Sequence, residues 1–141
     1  MPKKPLAVSP EAARILRRVA RRILEEPRRL EMSTWGRRRL HRAGACNTIG
    51  CIAGWTVLDG KTAAQVKAMP EEALAFTMET AREQATQKLG LTLWGTTRLF
   101  IPDQWPAQFV NIDGENPKGR SYAARAKTTA ARIEHFIKTG E

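Results

Sequence analysis

Cys46-Asn47-Thr48-Ile49-Gly50-Cys51-Ile52-Ala53-Gly54-Trp55 holds both cysteines of the chain, two closely spaced glycines and one of its four tryptophans. Thr48 is a favoured N-cap residue, and Gly60, after Leu58-Asp59, suits the position just past a helix end. The stretch therefore predicts a helix of about three turns from Thr48 to Asp59. A glycine inside a helix costs about 1 kcal/mol against alanine, and this short helix would carry both Gly50 and Gly54. Gly50, Ala53, Gly54 and Val57 share one face by their three- and four-residue spacing, so that face has almost no side chain. It suits a neighbouring backbone, or a ligand, lying directly against it. Ile52, Trp55 and Leu58 fill other directions, which makes the helix apolar nearly all round and central. Cys46, Gly50, Cys51, Gly54 and Trp55 are accordingly the expected structural motif.

With 141 residues, the length suits one domain with its own core. No run of apolar residues is long enough to span a membrane, and no apolar segment follows Lys3 and Lys4 as a secretory signal would. A cytoplasmic protein is expected, with its two cysteines as thiols. Charge is the strongest bulk signal. Residues 1–42 contain 13 Lys/Arg and 4 Asp/Glu, whereas the remainder contains 11 and 10, so nearly all of the +10 net charge belongs to the first third. Arginine supplies 11 of those 13 cations, which points to phosphate or carboxylate partners or to a solvated basic face.

Met1 to Val8 reads as a flexible basic arm. Ser9-Pro10-Glu11 has the order N-cap, first-turn proline, early acid. Ala12, Ile15, Leu16, Val19, Ala20, Ile23 and Leu24 then keep a helical rhythm until Pro27. Arg14, Arg17, Arg18, Arg21 and Arg22 lie opposite, within roughly 140° at about 100° per residue. Arg28 to Ala45 reads as an irregular connection anchored by Met32 and Trp35, with Arg37, Arg38, Arg39 and Arg42 around them. A turn or two of helix is expected near Ala64 and Val66. Pro70-Glu71-Glu72 opens a helix that Gly90 closes, with Leu74, Met78, Ala81, Ala85 and Leu89 inside. Thr92 caps a short helix containing Leu93, Leu99 and Phe100 and stopped by Pro102, and a further turn buries Trp105 and Phe109. After a surface loop from Asn111 to Arg120, Ser121 caps the last helix, whose stripe is Tyr122, Ala126, Ala130, Ile133, Phe136 and Ile137. No segment alternates long enough to argue a strand. The expected fold is all-α: a compact single-domain bundle over residues 9–141, with about four main helices plus short ones.

Three stretches carry a resemblance: PRRLEMSTW (Pro27–Trp35), CNTIGCIAGW (Cys46–Trp55), and Leu99-Phe100 with Trp105-Pro106 followed by RIEHFI (Arg132–Ile137). Together they resemble a family of small uncharacterised proteins common in phages and GC-rich bacteria, with the motif C-[NG]-T-x-x-C-I-A-G-W. Relatives often have glycine where this chain has Asn47. The resemblance implies a shared fold and a phage-like origin, and no established chemistry.

Four kinds of site can be weighed from residue types. Cys46, just before the expected cap and among arginines, has the setting of a thiol with a depressed pKa. A Cys–His hydrolase would need His41 or His135 within hydrogen-bond reach, while Cys51 reads as a small core hydrophobe. His41, Cys46, Cys51 and His135 offer metal-ligand types without the usual knuckle spacing, so no metal or cofactor is expected. Asn116-Pro-Lys-Gly-Arg-Ser121 sets Lys118, Arg120 and Ser121 at a helix start, a possible anion site without the phosphate-loop pattern. Finally, Arg14, Arg17, Arg18, Arg21 and Arg22, extended by Arg28, Arg29, Arg37, Arg38, Arg39 and Arg42, can follow a phosphate backbone. No base-reading motif accompanies them. The expected function is non-enzymatic binding of nucleic acid through phosphates. The alternatives are an accessory or anti-defence protein that docks on an acidic host protein or traps a nucleotide signal, and a cysteine hydrolase.

Overall fold

The computed structural model describes residues 7–27, 37–38, 48–49, 52–70, 72–73, 80–101, 104–111 and 117–141. Helix α1 runs Pro10–Glu25. Ser9 Oγ accepts the Ala12 amide at 3.1 Å, and Pro10 occupies the first helical position, where no amide partner is needed. Ala12, Ala13, Ile15, Leu16, Val19 and Ile23 are buried. Leu24, expected in the same stripe, is exposed. At about 100° per residue it falls beside Arg17, at the border of the charged face. The Ala7 amide donates to Ile137 O at 3.0 Å, and Val8 packs against the core.

The central stretch departs from expectation at its start. Thr48–Ile49 is a short strand, β2, paired antiparallel with Arg37–Arg38, β1, in the register Arg37 to Ile49 and Arg38 to Thr48. Helix α2 begins only at Ile52 and runs to Val57. Thr48 and Ile49 are β-branched, and extended pairing suits them better than a first helical turn does. The far end follows the reading: Leu58 N–H still bonds Gly54 O, and Gly60 then adopts φ +91°. Cys46, Gly50 and Cys51 lie outside the described residues.

Helix α3, Ala63–Ala68, is the expected short helix. Helix α4 covers Ala81–Leu89 and ends at Gly90 in the left-handed conformation. Its start is later than Pro70 predicts. Residues 72–73 are helical, but Thr80 at φ −103°, ψ 10° breaks the ladder before Ala81. Leu74 and Met78 lie outside the described residues. Helix α5, Leu93–Phe100, is capped by Thr92 Oγ1 on the Gly95 amide. Ile101, forced away from the helical region by Pro102, ends it in extended geometry. A 3₁₀ turn at Ala107–Phe109 follows, and Trp105 beside it is buried with Nε1 donating to Leu99 O. Helix α6, Tyr122–Thr139, starts at the Ser121 cap and stops at Gly140. Its inner face holds Ala126, Thr129, Arg132, Ile133, Phe136 and Ile137. Tyr122 is exposed on the first turn, contrary to the expected stripe.

Helix α1 packs chiefly on α6 and α2 chiefly on α4, with α1 also touching α2 and α4. These elements, α5 and Trp105 enclose one contiguous apolar core. The fold is all-α. Among the described residues, extended pairing is limited to β1–β2 and a Val110–Pro117 bridge. Helices α2 and α4 pack on each other, and each buries small residues, Ala53 and Gly54 on one, Ala81 and Ala85 on the other. Side chains this small let two helix backbones approach closely. Gly54→Leu is therefore expected to overpack the centre and lower stability by roughly 1–3 kcal/mol. An unchanged melting temperature would show that the Gly54 face is open.

Candidate functional site

On the α1 wheel the arginines run in the order Arg17, Arg21, Arg14, Arg18, Arg22, so Arg17 flanks the apolar face on one side and Arg22 on the other. The structure treats flanks and centre differently. Arg17 donates from Nε (3.2 Å) and Nη2 (2.9 Å) to the Glu134 carboxylate of α6. This contact holds the Glu134 carboxyl below the usual carboxylate range and raises the guanidinium further. Arg18 makes the same two-pronged contact with Asp59, at 3.1 and 2.8 Å. Lys88, in the last turn of α4, donates to Thr56 O and Asp59 O, so Asp59 joins the ends of α2 and α4 to α1. Arg22 donates to Lys61 O at 2.7 Å, lies 3.6 Å from Glu26, and stacks 4.7 Å from the centre of the buried Trp55 ring.

Three of the five predicted binding arginines thus fasten α1 to its neighbours. Arg14 and Arg21, at the centre of the face, are exposed and have no ion-pair or hydrogen-bond partner among the described residues. Their Cα atoms are seven residues apart, about 10 Å along the helix axis. Beside them lies an open recess of about 390 Å³ lined by Arg18, Arg21, Arg22, Glu25, Glu26, Asp59 and Thr62. Its formal charges cancel. An anion inside it would meet as many carboxylates as guanidinium groups, Arg21 among them, so the recess offers no surplus of positive charge and Arg14 stands outside that balance.

Of the arginines that would extend this face, Arg37 and Arg38 belong to β1. Arg28, Arg29, Arg39 and Arg42 lie outside the described residues. The second candidate, at the start of α6, has exposed Lys118 and Arg120 side chains, and several amides around it are engaged. Ser121 Oγ accepts from the Ala124 amide at 3.0 Å, the Gly119 amide donates to Asn111 Oδ1 at 3.0 Å, and Lys118 N–H donates to Phe109 O. These bonds close the loop on itself.

The cysteine readings centre on residues outside the described ones, since Cys46, Cys51 and His41 all fall there. His135 is half-buried with its ring 5.4 Å from Phe109. Among the described residues no group of three or more His, Cys, Asp or Glu side chains could hold a metal ion. No helix of the described residues is long and apolar enough to cross a membrane.

Two residues escaped the sequence reading. Arg132 is fully buried inside α6, where its Nη2 donates to Arg98 O and Glu141 O. Its spacing from Ile133 and Phe136 was the available signal, outweighed by its charge. Trp94 is 59 % exposed and its neighbour Leu93 77 %. Both stand on the first turn of α5, one turn away from the buried Thr96, Leu99 and Phe100. No protein-family model, curated protein or solved structure matches the chain, so its own residues carry the functional argument.

Proposed function

We propose that this chain binds nucleic acid through backbone phosphates, with Arg14 and Arg21 as the primary contacts. The observation that carries the reading is the pair of exposed guanidinium groups, unpaired among the described residues, at the centre of a helix face on a chain of net charge +10. Arg17 and Arg18 support it. Each commits Nε and Nη2 to a carboxylate, yet their side chains remain 47 % and 54 % exposed, with Nη1 donors in reserve. The paired flanks hold the ridge rigid while the centre binds. A phage-like origin, implied by the resemblance of the Cys46–Trp55 stretch, belongs to the same proposal.

Charge reversal at both central positions, Arg14→Glu with Arg21→Glu, tests the reading. Both residues are exposed, so stability should change by no more than about 0.5 kcal/mol per site. Affinity should fall for all sequences alike, because phosphate contacts carry no base information. The log–log salt slope should shrink by roughly 0.7–0.9 for each phosphate that the variant no longer neutralises. A folded double variant that binds duplex and single strand as before would sink the phosphate reading. An acidic host protein would then take its place, because this face already grips carboxylates in two-pronged geometry at Glu134 and Asp59. Pull-down with and without nuclease separates the two.

A further inference from the structure

Leaving a tryptophan in water forgoes a large apolar burial, and Trp94 does so beside a cleft. The cleft has a volume of about 290 Å³ and is bordered by Ser9, Leu89, Trp94, Gly95 and Phe136 together with the Ala7–Val8 segment. Gly95 leaves its wall low: a Cβ there would lie 3.6 Å from Phe136 Cζ. None of the lining residues is acidic. Arg98, one turn further along α5, lays its guanidinium 4.5 Å from the Trp94 ring centre. That stack covers part of the indole and sets a positive charge next to it. The nearest carboxylate partner of Arg98, Glu141, is 3.9 Å away and itself mostly exposed, so the charge is loosely balanced.

We propose that Trp94, backed by Arg98 and opening onto this cleft, is a stacking platform for an unpaired base of single-stranded nucleic acid. The inference rests on the phosphate-binding reading above and adds a strand preference to it. A polyanion that also carries flat aromatic rings matches both halves of the site, the indole face and the adjacent cation. Bases inside a duplex are stacked and paired and cannot reach the platform, so duplex binding stays with the phosphate contacts alone. Stacking requires only a π-face, hence any base serves.

The test measures fluorescence anisotropy of a labelled oligothymidine and of a labelled blunt-ended duplex against the wild type, Trp94→Ala, Trp94→Phe and the Arg14→Glu/Arg21→Glu variant. Trp94→Ala should weaken single-strand binding by about 5- to 150-fold and leave duplex binding unchanged. Trp94→Phe should recover most of the loss. Trp94 is exposed, so neither variant endangers the fold, and circular dichroism checks this. Unchanged single-strand affinity in Trp94→Ala, while the arginine reversal weakens both ligands, overturns the platform and leaves the phosphate reading standing. Failure of the wild type to bind either ligand overturns both. A smaller sedimentation mass in Trp94→Ala than in wild type would also overturn it, because a second copy would then cover the indole.

Discussion

Gly119→Ala is expected to lower folding stability by about 3 kcal/mol or more. Gly119 has φ +141°, a conformation L side chains rarely adopt. A Cβ there would lie 2.8 Å from Ala124 Cβ, 2.9 Å from Arg125 N and 3.0 Å from Ala124 C. Two of these atoms are backbone of the first turn of α6, and no side-chain rotation relieves them. Relief requires moving the loop, which would break the Asn111–Gly119 bond and the 3.1 Å bond from Arg125 Nε to Gly119 O. In a domain of this size the loss corresponds to roughly 10 °C in melting temperature. Thermal unfolding checks it, and an unchanged midpoint would show that the loop is not closed against α6. Nucleic-acid binding by the still-folded variant should be retained, because Gly119 lies on a different element from the α1 arginines.

Arg132→Met is expected to stabilise the protein. Arg132 is fully buried, its Nε and Nη1 find no hydrogen-bond partner among the described residues, and three aromatic rings, Trp105, Phe109 and Phe136, stand 5.8 Å from its guanidinium carbon. Desolvation, helped by the charge of Arg98, pushes its pKa well down from the usual guanidinium range to about 10. At neutral pH a shift of that size means the buried cation costs about 3 kcal/mol. The cation–π contacts lie near the outer limit of their range and offset only part of this. Methionine keeps the length of the side chain without the charge, so a gain of about 1–3 kcal/mol is expected. Arg132→Ala should instead lose stability through the cavity it leaves.

The pH dependence has a definite sign. The unfolded chain holds the Arg132 proton more tightly than the folded one, so the wild type gains stability as pH rises above about 10. The advantage of Arg132→Met should therefore be full below pH 9 and narrow by about 1 kcal/mol at pH 11. A loss of stability in Arg132→Met at pH 7, or a gap that widens with pH, would show that the buried guanidinium is satisfied.

Local signals were sufficient wherever one residue decides a backbone feature. Ser9, Thr92 and Ser121 cap the helices they were expected to cap, and Gly90 and Gly140 end two of them in the left-handed conformation. The apolar faces of α1 and α6 were legible from helical spacing, because one helix buries one stripe. The start of α2 was not, since Thr48–Ile49 takes its conformation from β1, a partner ten or so residues upstream. The exposure of Trp94 was missed for a related reason: periodicity gives the direction of a side chain, not whether a neighbour reaches that turn. Arg132 shows the converse, a charge drawn into the core by the apolar positions on either side of it.

The sequence by itself determined that the protein is all-α and that five arginines share one face of its first helix. Which of those arginines are free was decided only by the tertiary structure. Glu134 and Asp59 lie far along the chain from Arg17 and Arg18, and nothing near α1 announces them. An ion pair is a property of two elements brought together, so the folded arrangement turned an apparent stripe of five cations into paired flanks around Arg14 and Arg21.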